Sequence, residues 1–132
     1  MRVNHTILIV EEATDISLIT SRIFEFQKWQ VIKSSNGDEA LSFLKSNSAD
    51  VILMDINLPG MSGIECCKQI RKLSDKMKST IPIIAVTANS LGYTLDEYKS
   101  NGFTDFFQKP VNFESLIERI KSIFEKNSYK RK

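Results

Sequence analysis

The size and composition of the chain are those of one compact globular domain. Its 132 residues, 42% of them hydrophobic, can form one core and leave little room for a second. The formal net charge of +2 gives no reason to expect a nucleic acid or a membrane surface as a partner. The two cysteines, Cys66 and Cys67, are adjacent, which excludes a disulfide framework, and we therefore predict a cytoplasmic location.

The first half of the chain predicts three strands separated by two helices. Residues 7–10 form a β-branched, apolar run that is typical of a strand buried on both faces and too short to span a membrane. A helix follows, which Thr14 can cap, and its apolar residues recur at the spacing of a face that turns toward a core. These residues are Ile16, Ile19, Ile23 and Phe26. A second strand at 30–34, a helix opened by Asn36 and a third strand at 51–54 complete this half.

The second half predicts two more strands and three more helices. A third helix spans about 62–73 and a fourth about 94–102, and each opens with the sequence of a capping box. Strands are predicted at 83–86 and 103–107, and the last helix carries one apolar face over 112–124. Five strands that alternate with five helices demand right-handed crossovers and a parallel sheet covered on both faces.

The predicted boundaries leave a short tail after the domain. We place the domain at residues 5–125, because the periodic apolar pattern ends near residue 124. Residues 126–132 are basic and polar, and chain ends of this kind are usually poorly ordered. We therefore expect a disordered tail there.

Polar side chains follow four of the five strands at the edge of the sheet where ligands bind. In an open parallel sheet, ligands bind beyond the carboxyl ends of the strands. The residues there are Glu11 and Glu12 after the first strand, Asp55 after the third, Thr87 after the fourth and Lys109 after the fifth. Fold stability does not require this set, so the sequence predicts a functional site at this edge.

These residue types suit the formation of an acyl phosphate. Carboxylates that lie close together repel one another and favour a hard divalent cation, and Mg²⁺ suits an open site with few carboxylates. Asp55 can attack phosphorus as the nucleophile, while Mg²⁺ and Lys109 stabilise charge on the transferring group. Thr87 offers a hydroxyl donor to the same phosphoryl oxygens.

Four segments of the chain resemble those of response-regulator receiver domains. They are residues 7–12, 52–63, 82–88 and 106–110, which lie in the family's order over nearly the whole chain. The resemblance is to receivers of the single-domain chemotaxis type or the hybrid-kinase type. It implies a doubly wound, flavodoxin-like α/β fold with strand order 2-1-3-4-5 and five helices, and a role in two-component signalling.

The resemblance also implies roles for individual residues. Asp55 matches the phospho-acceptor, Thr87 the hydroxyl residue that moves to the phosphoryl group, and Lys109 the lysine of the site, whose bond to the following proline is usually cis. The backbone amide of Ala88 is expected to contact the phosphoryl group. Phe106 matches the aromatic residue that rotates when the domain switches.

The implied metal site departs from the family pattern at one position. The resemblance implies that Mg²⁺ is held by Glu11, Glu12, Asp55 and the backbone carbonyl of Asn57. The acidic pair of the family usually ends in aspartate, whereas here both members are glutamate. The extra methylene of Glu12 moves its carboxylate away from the place of a direct ligand, and Mg²⁺ demands near-ideal geometry. Either the loop relaxes and metal binds, or metal binding is weak.

Two functions therefore stay open. The first is a phosphoryl-accepting switch that a histidine kinase or phosphotransfer protein phosphorylates on Asp55. Such a domain is not an enzyme in the usual sense, although it can catalyse its own phosphorylation and dephosphorylation. The second is a pseudo-receiver that binds partners with weak or no phosphorylation, for which Glu12 is the sequence support.

A third class, an enzyme or flavin carrier on the same fold, fits the sequence poorly. It would need a glycine-rich, phosphate-binding loop after the first strand, where residues 11–14 are instead anionic and lack glycine. We expect a downstream protein target to bind the last two helices and the fifth strand. We expect no direct binding of nucleic acid and no association with a membrane.

Overall fold

A single five-stranded parallel sheet forms the centre of the protein. The computed structural model describes residues 5–88 and 92–130, the last four of these for their backbone only. The strands are β1 (Thr6–Val10), β2 (Gln30–Ser34), β3 (Val51–Asp55), β4 (Ile83–Thr87) and β5 (Asp105–Gln108). Every neighbouring pair is parallel, and the strand order is β2-β1-β3-β4-β5, which confirms the predicted order.

Six helices lie between and after the strands in the described part of the chain, one more than predicted. They are α1 (Thr14–Phe26), α2 (Gly37–Ser46), α3 (Gly63–Arg71), α4 (Lys76–Ser79), α5 (Leu95–Ser100) and α6 (Phe113–Lys130). The additional helix, α4, is a single turn that has no buried residue, so no apolar periodicity announces it. It forms because the side chain of Asp75 accepts a hydrogen bond from the Met77 amide and caps the turn.

Most of the predicted helix starts are confirmed by their capping hydrogen bonds. Asn36 and Ser62 each accept a hydrogen bond from the backbone amide three residues ahead, and Thr94 forms a complete capping box. The cap predicted at Thr14 is wrong. Thr14 is the first helical residue of α1, and the capping position is Ala13, which has no side chain able to cap.

Helix α6 continues past the predicted end of the domain. Its backbone is helical to Lys130, whereas residue 125 was the predicted boundary and a disordered tail was expected beyond it. A helix that is already formed adds residues without the cost of a new nucleus, which favours this extension. Residues 131–132 lie outside the described part, and the division of the chain at residue 125 stays a prediction.

The sheet divides the core into two layers, because successive side chains of a strand point to opposite faces. On one face, Leu8 and Val10 of β1 pack with Ile52 of β3 against buried residues of α2, α3 and α5. On the other face, Ile7 and Ile9 pack against α1 and α6. Each layer contains fully buried residues of β1, β3 and β4, so these strands are covered on both faces as predicted. No helix of the described chain is long and apolar enough to cross a membrane.

Helix α1 turns a different face to the core from the one its sequence predicts. Its buried residues are Ser17, Thr20, Ser21 and Phe24. Three of the four predicted core residues are exposed instead: Ile16 (42%), Ile19 (56%) and Phe26 (85%). The inward hydroxyls are accommodated because those of Thr20 and Ser21 donate to backbone carbonyls of the preceding turn. Only Ile23 packs against the core as predicted.

Candidate functional site

Three charged side chains from separate strand ends meet at the carboxyl edge of the sheet. The ammonium nitrogen of Lys109 lies 3.2 Å from Glu11 Oε1 and 3.4 Å from Asp55 Oδ2. Asp55 is 6% exposed and Glu11 is 9% exposed, while Lys109 is half-buried above them. The parallel topology brings these side chains together, because β1 lies beside β3, and β4 lies between β3 and β5 in the sheet.

Backbone amides hold the second oxygen of each carboxylate. The Asn57 amide donates to Asp55 Oδ1 at 3.1 Å, and the Ala13 amide donates to Glu11 Oε2 at 3.1 Å. The backbone amide of Lys109 donates to the Thr87 carbonyl at 2.7 Å, which attaches the segment after β5 to the end of β4. Each carboxylate therefore has one oxygen on the ammonium and one on the main chain.

The electrostatics of this cluster are those of two acids that share one cation. Burial raises the pKa of Glu11, and the negative charge of Asp55 adds to the rise, against the opposing Ala13 amide and Lys109. Burial alone would lower the pKa of Lys109, but the charges of Asp55 and Glu11 outweigh it and the pKa is raised. Lys109 is therefore a stable ammonium at neutral pH, held between the two acids.

The predicted phosphoryl-contact residues lie on the two strands beside this cluster. Thr87 ends β4 and is fully buried, and Ala88 follows it at the surface. Phe106 is half-buried in β5, with its ring stacked on that of Tyr98 at a centroid distance of 4.9 Å. The Lys109–Pro110 peptide bond is cis, which confirms that prediction. The roles assigned to Thr87, Ala88 and Phe106 stay predictions.

Of the predicted metal ligands, the structure brings Glu11 and Asp55 together and leaves Glu12 outside. Glu12 is exposed, and no group of three histidine, cysteine, aspartate or glutamate side chains is arranged to hold a metal ion in the described residues. Asn57, the predicted carbonyl ligand, follows Asp55 closely and is exposed. Two neighbouring carboxylates at an open edge fit a Mg²⁺ ion that keeps several of its waters.

Comparison with known proteins identifies the family. The family model for the response regulator receiver domain matches residues 7–121. The chain belongs to this family. Receiver domains are signalling modules of two-component systems, which interact with histidine kinases and phosphotransfer proteins and generally bind Mg²⁺.

The relatives of this receiver differ widely in length. PilH of Pseudomonas aeruginosa is 32% identical over 117 residues, which are 89% of this chain and 95% of PilH. The CAI-1 autoinducer sensor kinase/phosphatase CqsS of Vibrio cholerae is also 32% identical, over 86% of this chain, but the chain spans only 16% of its length. The structure resembles the receiver domain of the P. aeruginosa sensor histidine kinase PA1611, which has a magnesium ion in its active-site cleft. The TM-score is 0.76 at 26% identity, covering 89% of this chain and 94% of that one.

A largely apolar cavity of about 470 Å³ opens beside Glu11 and Asp55, between α1 and α6. Asp55 and Lys109 lie at its polar end. Its walls include Ile16 and Ile19 of α1 and Phe113 and Leu116 of α6. The sequence pattern could not reveal this cavity, because it predicted that Ile16 and Ile19 fill the core.

Gly63 is a further residue of the site, although the sequence places it in a capping box and in a segment that resembles receiver domains without indicating a role of its own. A Cβ atom at this position would lie 2.3 Å from the Asp55 carbonyl oxygen and 2.8 Å from Ile56 Cα. The Gly63 amide also donates to the Ile56 carbonyl at 2.8 Å. Because only glycine allows this approach, Gly63 fixes the loop after β3, which carries Asn57 against the Asp55 carboxylate.

Proposed function

We propose that this receiver domain is a signalling switch that accepts a phosphoryl group on Asp55 from the phosphohistidine of a histidine kinase or phosphotransfer protein. The carrying observation is the buried Asp55 carboxylate with Lys109 on one oxygen and the Asn57 amide on the other. This arrangement supports a nucleophile that is held in place beside a cation. An Asp55 oxygen would attack phosphorus while the phosphorus–nitrogen bond breaks and its electron pair stays on the imidazole.

The surrounding residues would stabilise the charge that transfer brings to the site. Lys109, already an ammonium shared by two acids, would follow the phosphoryl oxygens. Thr87 and Ala88, at the end of the strand next to β3, would donate a hydroxyl and an amide hydrogen bond. Glu11, Asp55 and the Asn57 carbonyl would hold Mg²⁺, which neutralises charge on the phosphoryl group when bound.

The surface of the receiver supports separate places for input and output. The apolar cavity between α1 and α6 ends at Asp55, so we propose that the phosphodonor covers this groove while its histidine reaches the carboxylate. We propose that a downstream target reads the surface of α5, β5 and α6. The free buried thiols of Cys66 and Cys67 support a cytoplasmic location.

A pseudo-receiver is the second candidate function, and one observation favours it. Glu12 is exposed and forms no group of three acidic ligands with Glu11 and Asp55 within the described chain. If Mg²⁺ binding needs the second acidic residue, the domain would bind partners in an unphosphorylated form only.

Intact-protein mass spectrometry after incubation with Mg²⁺ and acetyl phosphate tests the proposal. We expect the wild type to gain one phosphoryl group and Asp55→Asn to gain none. The matched control is Asp96→Asn, which changes an exposed aspartate on α5 and should behave as the wild type. A wild type that gains no mass would favour the pseudo-receiver, and a full gain in Asp55→Asn would refute the assignment of Asp55.

A further inference from the structure

Tyr98 buries a hydroxyl that has no hydrogen-bond partner. The residue lies on α5 and is fully buried, and its hydroxyl oxygen is one of two buried side-chain atoms without a partner among the described residues. Buried polar groups are nearly always paired, and an unpaired one destabilises the conformation that contains it. Phenylalanine would fill the same volume without this cost. The hydroxyl therefore points to a second conformation in which it is paired.

The ring of Tyr98 lies at the centre of an aromatic cluster that joins α5 to β5. It stacks on Phe106 of β5 with an interplanar angle of 24°. Tyr93, before α5, and Phe103, after it, meet the ring edge-on at centroid distances of 5.4 and 5.8 Å. Interiors are close-packed, so a rotation of Phe106 requires Tyr98 to move with it.

The strand that carries Phe106 is attached directly to the Asp55 site. Three residues beyond Phe106, Lys109 binds Asp55 through its ammonium and the Thr87 carbonyl through its backbone amide. A phosphoryl group on Asp55 would add negative charge and oxygen acceptors at the position where this ammonium now lies. The change would therefore act on β5 next to the aromatic cluster.

We propose that Tyr98 is a positioning residue of the switch, whose hydroxyl gains an oxygen acceptor when Asp55 is phosphorylated. Its ring then repacks with Phe106 and shifts α5, the helix on which it lies. The resting state leaves the hydroxyl unpaired, so pairing it favours the phosphorylated conformation. This inference rests on the proposed function, since it needs a phosphoryl group on Asp55, but it concerns a residue outside that site.

Nuclear magnetic resonance of the tyrosine ring carbons tests the proposal. The chain has three tyrosines, so ¹³C labelling at Cζ gives few signals, and Tyr98→Phe identifies the one from Tyr98. The probe for phosphorylation is beryllofluoride with Mg²⁺, with acetyl phosphate and intact mass as the covalent check. We expect the Tyr98 signal to shift and its hydroxyl proton to exchange more slowly when Asp55 is modified.

The variant should separate the resting state from the switched state. Tyr98→Phe should take up the phosphoryl group in full yield and be at least as resistant to urea as the wild type. The change that phosphorylation causes in amide hydrogen exchange of α5 should be roughly three- to tenfold smaller, the range expected for one lost hydrogen bond. Tyr93→Phe, which removes the hydroxyl of a half-buried neighbour in the same cluster, is the matched control and should respond as the wild type.

Each outcome decides between the two proposals. A wild type that gains no phosphoryl mass overturns the proposed function and this inference with it. A normal mass gain with an unchanged Tyr98 signal overturns this inference alone. A Tyr98→Phe variant that unfolds at lower urea concentration than the wild type also overturns it, because the hydroxyl would then have a partner in the resting state.

Discussion

The two sides of Asp55 are built from opposite kinds of packing. On the α1 side, small polar residues such as Thr20 face inward, while Ile16 and Ile19 remain exposed and line a cavity. On the α5 side, Tyr98 is fully buried, and its ring packs against those of Tyr93, Phe103 and Phe106.

The two kinds of packing suit different interactions. An exposed apolar wall is stabilised only when another surface covers it, so the α1 side is suited to a protein that approaches Asp55. A close-packed aromatic cluster instead transmits displacement from one element to another.

Lys109→Ala should affect both sides, since Lys109 lines the cavity and also continues β5. We expect the fold to be retained, because Lys109 lies at the open edge of the sheet and each carboxylate keeps its hydrogen bond from a backbone amide. Phosphorylation of Asp55 should fall by a factor of roughly a hundred or more, because charge on the transferring group loses its cation. Quench-flow phosphorylation and thermal unfolding measure the two effects, and a variant that collapses would show that Lys109 is structural.

Ile19→Asp should affect only the open side. Placing a charge in the apolar wall of the cavity should slow phosphoryl transfer from a histidine donor by roughly tenfold, about 1.4 kcal/mol, because the donor would have to bury it. Phosphorylation by acetyl phosphate, which needs no docking, should be unchanged. Leu18→Asp is the matched control, because Leu18 is also exposed on α1 (45%, against 56% for Ile19) but does not line the cavity. Equal slowing in both variants would show that the cavity is not the docking surface.

Glu12→Asp tests the predicted Mg²⁺ site beside Asp55. The shorter aspartate side chain should bring its carboxylate closer to those of Glu11 and Asp55. We therefore expect the affinity for Mg²⁺ to rise several-fold, on the order of 1 kcal/mol. Because Ca²⁺ accepts longer bonds and more ligands, its affinity should change less. Calorimetric titration of both ions into both proteins makes the comparison. Equal Mg²⁺ affinities would show that the loop accommodates the extra methylene, and the pseudo-receiver would lose its support.

The smallest expected effect concerns the two thiols of α3. Their reactivity tests how well the core layer beneath α2, α3 and α5 excludes solvent. Burial raises the pKa of Cys66 to about 12 and that of Cys67 to about 11, so the reactive thiolate is scarce at pH 8. The folded protein should react with iodoacetamide far more slowly than the urea-unfolded chain, in which the thiols have ordinary pKa values. Fast labelling of the folded protein would show that this layer opens readily.

Local signals in the sequence determined most of the fold. The apolar run of β1 predicted a strand buried on both faces, and the capping residues Asn36 and Thr94 marked helix starts that the structure confirms. Each signal acts within one turn or one strand, so its meaning does not depend on the rest of the chain. The edge at which Asp55 and Lys109 meet followed from the rule that parallel strands end together.

Contacts between residues that are far apart in the sequence determined the features that local patterns left open. Helical spacing specified an apolar stripe on α1 but not what would cover it, and the packing against β1, β3 and α6 selected Ser17 and Thr20 for the inside. The side-chain directions at the end of β1 were likewise settled by contacts from far along the chain, because Lys109 holds Glu11 while Glu12 points outward. Sequence gives each element its possible faces, and the free energy of packing them together selects one, which local periodicity cannot report.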